Sequence, residues 1–267
     1  MRPISSAELA RFQQFIFEEA GITLSSSKKE LVMGRLGKRL GVHQLDNFSD
    51  YFQLLASGRE PDEVQMAVDL LTTNETYFFR EMKHFDFLRQ RLQEARGRGQ
   101  GYRLWSAASS SGEEAYSSAM VLADTLGNTP WEVLGTDIST RVLAAAQRGL
   151  YPMERARHMP QDYLRRFCLK GEGAYEGQLL INRALRSRVQ FRQVNLNEAL
   201  PQLGLFDCVF LRNVMIYFSD ATKAQVVARL VGAIKPGGYL CVGHSESLNG
   251  ISQALEPIAP SVYRKPV

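Results

Sequence analysis

From residue 102 onward, short runs of β-forming residues alternate with amphipathic segments, and this rhythm constrains the fold more than any other feature of the chain. Residues 102–105, 131–136, 189–194, 206–211 and 238–242 read as strands. Residues 113–126, 139–148 and 220–234 carry the 3.6-residue spacing of helices, and Lys235-Pro236-Gly237-Gly238 is a helix stop. Strands separated by helices cannot pair as tight hairpins. The pattern therefore predicts an α/β fold with a mostly parallel sheet covered by helices on both faces. Residues 150–188 interrupt the rhythm with a short helix and the run Gly171-Glu172-Gly173-Ala174-Tyr175-Glu176-Gly177, which predicts a small inserted antiparallel β subdomain. The sheet-forming region is expected to span 102–267.

Residues 1–95 read as helices alone and predict a small all-α N-terminal domain. Ser5 or Ser6 can cap a first helix with Leu9, Phe12, Phe15 and Ile16 on one face, and Gly21 ends it. A second helix opens near Ser27, with others near 47–56, 61–71 and 81–96. The glycine-rich, charged stretch 96–101 is expected to be the linker. Charge is segregated within this region. Residues 25–41 hold five Lys/Arg and one Glu, a net of +4, while the rest of 1–95 holds seven basic and thirteen acidic residues, a net of −6. Lys28, Arg35, Lys38 and Arg39 are expected to point largely outward, so one basic strip would meet an anionic partner.

Several classes are excluded or disfavoured. No uncharged apolar run approaches the roughly 18 residues of a membrane span. Glu8 interrupts any signal core at the N-terminus, so a cytoplasmic protein is expected. Cys168, Cys208 and Cys241 lie too far apart for a disulfide framework or a CxxC metal site, and His43, His84, His158 and His244 share no ligand spacing, so no metal is expected. Ser109-Ser110-Ser111 lacks a GxSxG elbow.

In an open α/β sheet, ligands lie beyond the carboxyl ends of the strands. The first such loop, residues 107–114, is rich in small residues but is not a GxGxxG fingerprint. The second strand ends in Asp137, which could accept both hydroxyls of a ribose or simply cap the next helix. Three longer motifs resolve the ambiguity. Leu71-Thr72-Thr73-Asn74-Glu75-Thr76-Tyr77-Phe78-Phe79-Arg80-Glu81, Trp105-Ser106-Ala107-Ala108-Ser109-Ser110-Ser111-Gly112-Glu113-Glu114 and Cys208-Val209-Phe210-Leu211-Arg212-Asn213-Val214-Met215-Ile216-Tyr217-Phe218 resemble, in this order, the motifs of the CheR family of S-adenosylmethionine-dependent protein-glutamate O-methyltransferases of bacterial chemotaxis. The likeness covers nearly the whole chain and departs at Ala115, where many relatives have proline.

The resemblance implies a Rossmann-like class I methyltransferase domain that binds S-adenosylmethionine and releases S-adenosylhomocysteine. It implies cofactor contacts from Asn74, Thr76, Arg80, Glu114, Asp137, Asn195, Leu196, Leu211 and Arg212, and catalytic roles for Arg80 and Tyr217. Asn195 suits an adenine edge and Leu196 its face, while Glu114 suits the cationic methionine end. Arg80 could grip a carboxylate through its planar fork, the plain alternative being an ion pair with Glu81 or Glu75. For Tyr217 the alternative is a half-buried core aromatic. The partners implied are chemoreceptor cytoplasmic helices. Lys28, Lys29, Arg35, Lys38 and Arg39 would meet their acidic surface, the plain alternative being a solvated helix face. Gly171, Gly173 and Gly177 would permit capture of a receptor C-terminal pentapeptide on the β subdomain, with Arg186 and Arg188 nearby to attract its carboxylate, the plain alternative being a hairpin whose glycines serve only its own turns. Competing readings are a nucleic-acid methyltransferase, disfavoured by the lack of an Asn-Pro-Pro-aromatic motif, and a non-catalytic cofactor-binding module. A monomer is expected.

Overall fold

A computed structural model of the chain describes residues 3–95 and 101–267. Apart from Gly101, the expected linker lies outside the described residues. The N-terminal helices are α1 (Ser6–Ala20), α2 (Lys29–Val42), α3 (Phe48–Ala56) and α4 (Pro61–Leu71), followed by α5 (Lys83–Ala95). Ser5 caps α1 in a capping box with Glu8, which satisfies two otherwise orphaned backbone donors, and Gly21 closes the helix in the left-handed conformation.

The larger sheet contains β1 (Tyr102–Ser106), β2 (Trp131–Asp137), β6 (Val189–Gln193), β7 (Phe206–Leu211), β8 (Ile234–Val242), β9 (Glu256–Ala259) and β10 (Val262–Arg264), in the order β6-β2-β1-β7-β8-β10-β9. The pairs from β6 through β8 are parallel, whereas β10 is antiparallel to β8 and to β9. The crossover helices are α6 (Glu113–Leu126), α7 (Thr140–Arg148) and α10 (Asp220–Gly232). The last helix stops two residues before the expected end, and β8 begins at Ile234, upstream of the Pro-Gly-Gly stop. The strands β9 and β10 carry no marked alternation and were not anticipated. The inserted sheet is three-stranded and antiparallel, in the order β3 (Leu150–Pro152), β5 (Gln178–Ile181), β4 (Cys168–Lys170), with α8 (Gln161–Phe167) and α9 (Arg183–Arg186) beside it.

Strand alternation divides the core. Trp105, Leu134, Val209 and Leu240 face one side, where they join the apolar residues of α1–α4 in a continuous core. Leu104, Val133, Cys208, Phe210 and Cys241 face the other, with α5 and α6. The helix α5, grouped with the helical region in the sequence, thus buries Phe85, Leu88 and Leu92 against the α/β layer. Its amphipathic stripe shows that it must pack; the stripe carries no information about which surface receives it.

Candidate active site

A cleft of about 920 Å³ opens between the helical domain and the carboxyl ends of β1, β2 and β7. It is lined by Asn74, Thr76, Arg80, Glu114, Asp137, Asn195, Leu196, Arg212 and Tyr217, all anticipated from the sequence. Leu211 is the exception. It is fully buried in the core as the last residue of β7, with the strand alternation turning its side chain away from the cleft.

The cleft walls are strained. Among the described residues, six that are not glycine adopt positive φ, and Phe79, Glu81, Ser110 and Asn213 of these lie on the loops around the cleft. Such backbone persists only where the surroundings over-determine it. Gly112, at φ +96°, allows the 107–112 loop to turn into α6; a Cβ there would lie 2.8 Å from Ala146 Cβ. This tight turn brings the Ser110 N–H to Asp137 Oδ2 at 2.9 Å, while Ser139 N–H donates to Oδ1 at 3.0 Å. Asp137 is thus held in place by the main chain at both oxygens. Burial raises its pKa to about 6 against these bonds.

Deeper in the cleft, buried Arg212 bridges two carboxylates. Its Nη1 donates to Glu114 Oε2 and its Nη2 to Glu81 Oε2, each at 2.9 Å, and Nη2 also meets the Arg80 carbonyl. Ser106 Oγ donates to the other Glu114 oxygen at 2.7 Å. Burial raises the Glu114 pKa despite Arg212. Burial also works to raise Glu81, but Arg212, Asn213 and the His244 N–H outweigh it and hold that carboxyl at about 2. With both acids ionised the trio carries one net negative charge, suited to a ligand with a cationic centre.

Arg80 makes neither ion pair weighed from the sequence. Its Nη1 donates to the Glu75 carbonyl at 2.9 Å and its guanidinium lies 5.9 Å from the Tyr77 ring centroid. No carboxylate among the described residues is paired with it. The Tyr217 hydroxyl likewise has no hydrogen-bond partner among them, while its carbonyl accepts from Thr23 N–H at 2.7 Å. Asn195 differs from expectation. Its Nδ2 is spent on the Glu19 carbonyl at 2.7 Å and on Glu198 at 2.9 Å, so an adenine edge could meet only the free lone pair of Oδ1 or the main chain.

Three residues escaped the sequence reading. Asn213 lines the cleft beside Arg212, and its Nδ2 donates to Glu81 at 3.1 Å. Glu246 accepts from the N–H groups of Asn213, Ile216 and Gly243, tying two strand-end loops together. Glu81 appeared only as a partner for Arg80. The adjacency of Asn213 to Arg212 was the available signal; Glu246 is distant in sequence and had none. The fold also gathers Glu81, His84 and His244 with ligand atoms within 4.8 Å of one another. Glu81 already accepts from Arg212, Asn213 and the His244 N–H shared between its two oxygens, and the Arg212 guanidinium beside it opposes a second cation.

The receptor-facing expectations divide. Lys28 and Lys38 are exposed and Lys29 half-buried. Arg35 instead points inward and donates to the Leu71 and Thr72 carbonyls at 3.1 and 2.9 Å, while Arg39 pairs with buried Glu63, which Tyr51 and His43 also contact. These two arginines sit at positions that the helix turns toward α4, a packing partner invisible in a count of charges. In the β subdomain, Gly171, Gly173 and Gly177 shape the hairpin between β4 and β5: Gly173 and Gly177 have positive φ, and a Cβ on Gly171 would overlap the Tyr175 carbonyl. The exposed apolar groups nearby are Leu169 and Tyr175, on and beside the outer strand β4.

Comparison with known proteins agrees with this geometry. Residues 74–263 match the family model described as CheR methyltransferase, SAM binding domain, and residues 7–72 match CheR methyltransferase, all-alpha domain. The chain is 40% identical to the chemotaxis protein methyltransferase of Escherichia coli over 97% of this chain and 91% of that protein. It is 41% identical to chemotaxis protein methyltransferase 2 of Pseudomonas aeruginosa over 94% of this chain and 91% of that protein. The family models meet near residue 73, which agrees with the packing of α5 on the sheet.

Proposed function

The chain belongs to the CheR methyltransferase family, and from that premise we propose that it esterifies specific glutamate side chains on chemoreceptor cytoplasmic helices in the cytoplasm. S-adenosylmethionine supplies a methyl group on a sulfonium, a leaving group that needs no protonation. The cleft fits it: Asp137 offers an anchored carboxylate to the ribose hydroxyls, Leu196 an apolar face to the base, and the Glu81–Arg212–Glu114 trio a net negative charge to the cationic end.

A glutamate is ionised near pH 7, so this chain need not supply a strong base. It must strip the carboxylate of water and align one oxygen behind the methyl carbon. Arg80 grips one edge of the substrate carboxylate through its fork, and the Tyr217 hydroxyl donates from another side. With S-adenosylmethionine bound, its methyl group would pass to that oxygen while the carbon–sulfur bonding pair remained on sulfur, so no residue of this chain would have to move a proton.

The observation that carries the reading is the Arg80 guanidinium, unpaired with any described carboxylate, in the same cleft as Tyr217. Lys28, Lys29 and Lys38 on α2 offer the acidic receptor bundle a basic approach, and the outer edge of β4 with Leu169 and Tyr175 suits an extended receptor tail. Tritiated S-adenosylmethionine with a receptor cytoplasmic fragment should yield base-labile methyl ester. Label on RNA, or none on any acceptor, would overturn the proposal.

A further inference from the structure

The strand β6 is one edge of the seven-stranded sheet. The segments in and around this edge, residues 138–153 with α7 and β3 and residues 177–197 with β5, α9 and β6, contain six arginines and no Asp, Glu or Lys. These are Arg141, Arg148, Arg183, Arg186, Arg188 and Arg192, none of which forms an ion pair among the described residues. All but Arg186 are exposed. Two are anchored with charge left over: Arg186 Nη1 donates to the Arg148 carbonyl at 2.7 Å, and Arg188 lies over the Trp131 ring at 3.6 Å while donating to the Trp131 carbonyl.

The backbone of this edge is free to pair. The Arg188 carbonyl accepts from Val133 N–H and Val194 N–H donates to the Asp137 carbonyl, so even-numbered residues of the strand face β2. Strand alternation then turns the N–H and C=O groups of Val189, Phe191 and Gln193 outward. The arginines bracket that row. Arg188 and Arg192 share one face of the strand, whereas Arg141 and Arg148 stand on α7, which packs beside it. An added strand directs alternate side chains to both faces, and both faces here present guanidinium groups.

We propose that the β6 edge is a docking site for an extended acidic segment of a partner polypeptide, which adds a strand and pairs its carboxylates with the flanking arginines. The site is separate from the methylation cleft; it adjoins the β subdomain through α9, while the main-chain row it uses belongs to β6 of the larger sheet. Arginine in place of lysine favours fork-shaped pairing with carboxylates. The main-chain row favours a polypeptide over a nucleic acid, which would use exposed aromatic faces.

The test uses the full chain and a labelled peptide of about eight residues with alternating Glu and Thr, matched to the strand length, beside the Gln-for-Glu peptide and a single-stranded oligonucleotide of equal charge. Fluorescence anisotropy should show binding of the acidic peptide that weakens at least about tenfold in the double variant R141Q/R192Q and falls with added salt. Hydrogen exchange should show the Phe191 and Gln193 amides protected by the peptide. Both changed residues are exposed, so unaltered melting and cofactor affinity serve as controls. Absent or variant-insensitive binding, binding without amide protection, or tighter binding of the oligonucleotide would each overturn the proposal.

Discussion

Arg80 and Tyr217 share the cleft without sharing a hydrogen bond, so their substitutions should separate. Arg80→Ala should nearly abolish methyl transfer, and Arg80→Lys should restore little of it, because an ammonium cannot present the two parallel donors of a guanidinium. Tyr217→Phe should lower turnover more than cofactor affinity; equal losses in kcat and calorimetric affinity would assign Tyr217 to the cofactor instead. Asp137 carries a pH dependence. Its carboxyl, raised by burial to about 6, accepts charge-assisted bonds from both ribose hydroxyls only while ionised. Cofactor affinity should therefore hold at neutral pH and fall as the pH drops through about 6, and Asp137→Ala should remove about 1–3 kcal/mol of it together with this pH dependence. Calorimetry across that range checks both. Most of the anticipated cleft residues were legible because they sit in three contiguous motifs, and Asp137, Asn195 and Leu196 because they stand at or just past strand ends. Glu246 was not, because its importance comes from three backbone N–H groups converging on it in space.

At the scale of elements, α2 is half docking surface and half internal brace. Charge reversal at Lys28 and Lys38, both exposed, should raise KM for receptor and leave cofactor affinity unchanged. Arg39→Ala should act on stability, since it removes the charge-assisted bonds to buried Glu63 and leaves that carboxylate to Tyr51 and His43; a loss of about 1.5–3 kcal/mol is expected by denaturant titration. Arg35→Ala should loosen the Leu71–Thr72 main chain that leads into Asn74 and Thr76, and so weaken cofactor binding. The charge count of α2 was legible in the sequence. Which arginines the helix turns inward depends on where α4 lies, and no local pattern encodes that.

Across the whole molecule, the two layers are joined at the cleft. Asn195 and Asn197 hold the main-chain carbonyls of Glu19 and Glu18, Ile22 bridges to Phe218, and Thr23 N–H reaches the Tyr217 carbonyl. Beside these contacts, buried Asp69 of α4 accepts from the Thr140 and Arg141 N–H groups and caps α7 across the domain boundary. Asp69→Ala should therefore destabilise the protein by about 1–2 kcal/mol and weaken cofactor binding as well, because it frees the helix that follows Asp137. Saturating S-adenosylhomocysteine, at about 100 times its Kd, should stabilise the wild-type chain by about 2.7 kcal/mol. Thermal unfolding with and without the ligand measures both effects.

Periodicity, stop signals and three contiguous motifs are local properties. They were sufficient for the parallel α/β layer, the inserted β subdomain, the helical N-terminal region and the main polar groups of the cleft; its apolar walls from Ala20, Ile22 and Phe85 were not among them. What depended on tertiary structure was every choice among equivalent surfaces. The stripe of α5 could have packed on either layer, Arg80 and Arg212 could each have taken Glu81, and Asn195 could have kept its amide free for a ligand. Each was decided by distances between segments as much as 176 residues apart in the chain, as between Glu19 and Asn195. Side-chain type determines what a group can bond, and only the folded backbone determines which partner reaches it first.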